Sequence, residues 1–171
     1  GLIMANPLYG QNKNDDDMSL YGRGKMEIIT TTAAHTLVAD NSGALIFANV
    51  AAAELTLPSA EAGIHFYYMV GIDATAGSTI VAASGDCFFG QIRLISTTEE
   101  QTEVQDIDHA TAIATVTSYD NFDLVSNSAS LGGTSGDVIH LIAVDSTAWL
   151  ASCTLTTVHA NPAGVAVINA G

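Results

Sequence analysis

Positive charge is what this sequence has least of. Four Lys and Arg stand against eighteen Asp and Glu in 171 residues, a net charge of −14. Lys13, Arg23 and Lys25 fall in the first 25 residues, where Asp15, Asp16 and Asp17 cancel them. Beyond that point fifteen acids (eighteen less those three) face Arg93 alone. Such a chain repels phosphate backbones and anionic lipid, which argues against nucleic-acid and membrane-surface partners. Charge of either sign is scarce, at 13%, where an ordinary domain carries about 25%. Aromatics make up 6%, too few to suggest a sugar-stacking surface. The two cysteines, Cys87 and Cys153, form no CxxC pair, which argues against zinc. They read as small apolar residues, and whether they meet depends on the fold. No apolar run approaches the roughly 18 residues of a membrane-spanning helix.

Ala and Val supply much of the 48% hydrophobic content. The length suits one domain with a core of its own, and an arm. The exposed surface must then be largely Ser, Thr, Asn, Gly and Ala. That composition fits wide areas covered by neighbouring protein, or a secreted or viral structural role. Gly1-Leu2-Ile3 lacks the basic and apolar regions of a signal peptide, and Met4-Ala5-Asn6-Pro7 reads as a natural start. Synthesis and assembly in the cytoplasm are therefore expected.

Residues 1–25 form a segment of their own. No helical or strand period is sustained between Pro7 and Lys25, and alone the segment buries too little to order itself. Yet Leu2, Ile3, Met4, Leu8, Tyr9, Met18, Leu20 and Tyr21 are too apolar for an idle linker. The expectation is an extended N-terminal arm that orders on a partner surface. Its contact residues would be Pro7, Leu8, Tyr9, Lys13, Leu20, Tyr21 and Arg23.

Residues 26–171 read as the body. Its centre is Leu37–Val70, where Asp40–Gly43 marks a turn and Ala44–Phe47 a strand. Glu54–Pro58 is a second strand, stopped by a proline that cannot donate to a ladder, and Ile64–Val70 a third. This pattern predicts a meander. Further strands are predicted over Lys25–Thr32, Ile80–Ala83, Cys87–Leu94 with a bend at Gly90, Ala110–Ser118 and Phe122–Ser126. Val138–Val144 and Ala148–Ala151 read as a hairpin, followed by Cys153–His159 and a last strand VAVI. Ser96–His109 is an acidic loop or ragged edge strand. About ten short strands and no convincing helix predict an all-β fold: an antiparallel, jelly-roll-like β-sandwich or barrel.

Candidate chemistry is thin. Asp106, Asp108 and His109 put three donor groups in four residues, but without an EF-hand register they read as a solvated acidic segment. His35, His65, His109, His140 and His159 show no HxH or HExxH spacing. His65 and His140 lie in apolar strands, where a hydrogen-bonded core or interface histidine is expected. Ser135 in GTSGD lacks the GxSxG frame of a nucleophile elbow. Trp149 with Tyr67, Tyr68 and Tyr119 could stack on a sugar, although core or interface packing fits the low aromatic content better. No catalytic, cofactor-binding or metal-ligating residue is assigned, and no enzyme activity is expected.

The order of motifs carries a resemblance. ADNSGALIFAN at Ala39–Asn49, LTLPSAEAGIHFYYMV at Leu55–Val70, IVAASGDCFFGQI at Ile80–Ile92 and SGDVIHLIAVDSTAWL at Ser135–Leu150 occur in that sequence. Together they resemble the small capsid decoration (cement) proteins of tailed bacteriophages, over about two thirds of the chain. MANPLYGQNK at Met4–Lys13 resembles the starts of marine phage structural proteins, a setting that suits the acidity. Two features depart from the family: Ala44 stands where it places lysine, and Ser96–Ser130 is longer and more acidic. The resemblance implies a homotrimer on the outer capsid surface of the virion, bound to the major capsid protein where its subunits meet. A protein that binds only the assembled lattice stabilises it by mass action. The alternative is a head-fibre or tail-tip module that binds a host glycan or receptor, and a third is a hydrolase using Asp106, Asp108 and His109.

Overall fold

The computed structural model describes residues 25–98, 100–126, 131–158 and 167–171. The expected contact residues Pro7, Leu8, Tyr9, Lys13, Leu20, Tyr21 and Arg23 lie outside them.

The first six strands are short and follow one another closely. They are β1 (Ile28–Thr31), β2 (His35–Thr36), β3 (Leu45–Ala48), β4 (Glu54–Thr56), β5 (His65–Val70) and β6 (Ser78–Val81). Consecutive strands alternate between two sheets. β1, β3 and β5 lie side by side in parallel in one sheet, and β2, β4 and β6 do the same in the other. The chain therefore winds in coils, each contributing one strand to each sheet. Aligned positions follow from the register: Ile28, Leu45 and Tyr67 stand in one row, and His35, Leu55 and Ile80 in another.

The later strands close both sheets. β7 (Cys87–Ser96) is the longest, and β8 (Thr102–Ile107) runs antiparallel along it. β9 (Asn121–Leu124) pairs antiparallel with β6, and β13 (Ile168–Asn169) with β9. β10 (Val138–Ala143) runs antiparallel to β5 and forms a hairpin with β11 (Ala148–Leu150). β11 and β12 (Cys153–Thr157) then run parallel to β7 at one unbroken register, Ala148 against Cys87 and Cys153 against Ile92. Ser152 lies between them. Its Oγ accepts the Gln91 N–H, and it lies 2.8 Å from where a Cβ on Gly90 would stand. Gly90 adopts φ +131°, so a side chain there would be strained as well as crowded. β7 runs through Gly90 without a break in register, so no bulge interrupts the strand there.

The all-β expectation holds, but not the antiparallel one: the eight-stranded and the five-stranded sheet are both mixed, and six of the strand pairings are parallel. Three details are corrected. The chain forms thirteen strands among the described residues rather than about ten. Leu37–Val70 is not a meander: β3 and β5 pair in parallel while β4 crosses to the other sheet. The connections explain why. Thirteen residues separate β1 from β3 and sixteen separate β3 from β5, too long for a hairpin and suited to a crossover. Ala110–Ser118 is not a strand but the helix α1 (His109–Ala114) followed by a 3₁₀ turn, Val116–Ser118. Asp108 caps α1, its carboxylate accepting from the Thr111 N–H at 2.8 Å and the Thr111 hydroxyl at 2.7 Å.

One hydrophobic cluster joins the inward residues of both sheets. Ile46, Phe66, Tyr68, Ile139, Leu141 and Trp149 come from the larger sheet, and Leu55, Ile80, Phe122 and Ile168 from the smaller. Each large side chain here contributes about 1.5–3 kcal/mol through removal from water. The 131–137 loop is fastened by buried Asp137. Its carboxylate accepts from the Gly133, Thr134 and Thr156 N–H groups and from the Thr156 hydroxyl. Burial raises its pKa, and these four donors pull the other way.

Candidate interaction surface

Period two decides what the larger sheet shows to solvent. In β5, Phe66, Tyr68 and Val70 face inward, which turns His65, Tyr67 and Met69 outward. In β10, Ile139, Leu141 and Ala143 face inward, which turns Val138, His140 and Ile142 outward. Ile28 on β1, Leu45 and Phe47 on β3, and Leu150 on β11 share that outer face.

Register arranges these residues in rows. Ile28, Leu45, Tyr67 and His140 form the middle row. Thr30, Phe47, Met69 and Val138 lie on one side of it. His65, Ile142, Leu150 and Phe89 lie on the other. Apart from Ile28, at 62% exposure, and Val138, at 44%, the large apolar members are half-buried against one another. No Asp, Glu, Lys or Arg occupies an outward position of β1, β3, β5, β10 or β11. The backbone approaches closely under Phe47: a Cβ on Gly71 would stand 2.5 Å from its ring and 2.9 Å from the Ala48 carbonyl.

His65, Tyr67 and His140 form a polar cluster within this face. Tyr67 and His140 stack with centroids 4.1 Å apart and planes 10° apart. His65 Nδ1 and His140 Nε2 are hydrogen-bonded at 3.2 Å. Burial lowers the pKa of His140, and the neighbouring His65 lowers it further. Both features favour the neutral form of His140.

The other expected sites disperse. Trp149 and Tyr68 are fully buried, Trp149 stacking on Phe66, while Tyr67 lies on the outer face. The four aromatics therefore form no common platform. Asp106 points outward from β8, Asp108 caps α1, and His109 turns to Asp145 at 2.8 Å. That hydrogen bond holds Asp145 below the usual carboxylate range. Among the described residues no three His, Cys, Asp or Glu side chains converge as a metal site. The Ser135 hydroxyl donates to the Gly71 carbonyl. Cys87 and Cys153 are free thiols, pushed up by burial to about 11 and about 12, so both are protonated at neutral pH. His159 lies outside the described residues.

Sequence reasoning placed His65 and His140 in apolar strands but did not bring them together. A signal was present: alternate positions of HFYYMV and VIHLIAV carry no charge on either side. No family model, curated protein or solved structure matches this chain.

Proposed function

We propose that this chain is a non-enzymatic capsid decoration (cement) protein. It binds the outer surface of an assembled phage head and stabilises it at the junctions of major capsid protein subunits. In this proposal the two sheets form a β-sandwich body, residues 1–25 form the arm along the capsid, and copies assemble as a homotrimer. The observation that carries the reading is the uncharged apolar face on a body otherwise rich in acid. A face of that kind is costly to leave in water and suits permanent contact with protein. The order of the resembling motifs supports the same reading. The glycan-binding alternative loses its stacking platform, because Trp149 and Tyr68 are in the core.

The test is co-sedimentation of the purified chain with empty phage head shells, with unassembled major capsid protein as control. Binding to shells and not to free subunits is expected, together with a higher temperature of shell rupture. A chain that stays in the supernatant would overturn the proposal. Deletion of residues 1–24, with folding checked by circular dichroism, is expected to abolish shell binding if the arm makes the contact.

A further inference from the structure

We infer that the uncharged part of the larger sheet's outer face, spread over β1, β3, β5, β10 and β11, is where copies of this chain meet. The inference rests on the proposed role as a self-assembling structural protein and assigns its self-contact. Leu45, Phe47, Tyr67, Met69, Val138 and His140 carry it.

The choice of a second copy comes from charge. A basic partner is recognised through acids, and this chain offers acids on its loops, on β8 and on the smaller sheet. They are missing from the outward positions of five adjacent strands, β1, β3, β5, β10 and β11. The partner that an uncharged face accommodates best is one whose own acidity would otherwise repel. A chain with net charge −14 is such a partner to itself. Two copies that met on any acid-bearing face would place carboxylates opposite carboxylates.

The edge of the sheet agrees. β1 is the outermost strand of the larger sheet, and the face runs to it through Ile28. Its segment IITT has neither proline nor an inward charge, the usual devices that block edge pairing. Edge and face together give a continuous uncharged surface. The imidazole pair adds hydrogen-bonding groups that can act as donor or acceptor, so copies can satisfy one another there.

The experiment is the solution mass of the full-length chain by sedimentation equilibrium, with no shell present. The wild type is expected to be an oligomer. Val138→Glu and Tyr67→Glu are each expected to weaken self-association by roughly 100-fold or more, since a carboxylate would be buried without a partner. Val138 is already half exposed, so that variant keeps the monomer folded, with circular dichroism as the check. Thr79→Glu adds the same charge on the opposite sheet and is expected to leave the mass unchanged. A wild type that stays monomeric up to its solubility limit would overturn the inference. So would face variants of wild-type mass, or a full-length Leu8→Glu/Tyr9→Glu variant that alone dissociates the oligomer, which would make the N-terminal segment the occupant. An oligomer that ignores head shells would overturn the cement proposal and leave this inference standing. A monomer that binds shells would do the reverse.

Discussion

The two sheets share one core yet turn different chemistry outward. On the smaller sheet the outward rows read Thr36, Thr56, Val81, Asn121, Asn169 and Glu54, Thr79, Asp123. Threonine, asparagine and acid dominate there, and Asp123 accepts from both the Asn121 and the Asn169 side-chain amides at 2.9 Å. On β1, β3, β5, β10 and β11 of the larger sheet the outward rows hold Ile, Leu, Phe, Met, Tyr, His and Thr without an acid, and charge returns only at Arg93 of β7 and Asp106 of β8. Both sheets obey the same period, so inward burial does not explain the difference. A sheet with one face in water is expected to alternate apolar and polar residues, as the smaller one does. The larger one departs from that rule on β1, β3, β5, β10 and β11 and returns to it on β7 and β8, whose outward positions include Gln91, Arg93, Thr102 and Asp106.

The strongest way to break the comparison is to loosen the layers that both faces depend on. Asp137→Ala removes the acceptor shared by Gly133, Thr134 and Thr156. Buried donors left without a partner cost about 1–3 kcal/mol each, and partial rearrangement offsets some of that. A loss of about 3 kcal/mol is expected in urea unfolding, and both faces would lose definition together. Next comes Gly71→Ala, which acts on the apolar face alone. The added methyl would collide with the Phe47 ring and the Ala48 carbonyl. A loss of about 1–3 kcal/mol is expected, as for other overpacked sites. Gly71→Ala combined with Phe47→Ala would recover part of that loss, which double-mutant unfolding would show.

How much of this was legible beforehand differs by level. Most strands were legible from alternation: IHFYYMV, VIHLIAV and the Ala148–Ala151 partner formed strands close to where they were expected. Pairing was not, because period two is the same in parallel and antiparallel sheets. The length of the connections held the answer, since thirteen and sixteen residues are crossover lengths. ATAIATVTS misled because its alternation of small and β-branched residues imitates a strand. The competing signal was Asp108, three residues before Thr111, a helix-start spacing. Trp149 was expected in the core or an interface, and the core took it. The meeting of His65 and His140, 75 residues apart, requires the β5–β10 register, which no local pattern encodes.

A smaller effect sharpens the polar side of the comparison. Asp123→Ala is expected to cost about 1 kcal/mol, because two amide donors at a partly exposed site can turn to water. Solution mass should not change, since this face makes no contact between copies under the inference above. Unfolding midpoint and sedimentation together check both halves of that expectation.

The smallest effect concerns pH and belongs to the apolar face. Burial and then His65 hold the His140 pKa below its ordinary 6.5. The unfolded chain therefore takes up a proton at a higher pH than the folded chain does. In that window the unfolded state binds more protons, so stability rises with pH. The contribution is fully present above 6.5 and declines as pH falls through the window below it. The groups around the imidazole are His65, Tyr67 and the apolar members of the rows, with no carboxylate among the outward positions to favour the cation. Carboxylates elsewhere also titrate on acidification, so the informative quantity is a difference. The fall in unfolding free energy between pH 8 and pH 5.5 should be smaller in His140→Phe, which keeps a ring against Tyr67. Equal falls in the two proteins would mean that His140 titrates as it does in water, and that the face is wetter than its packing implies.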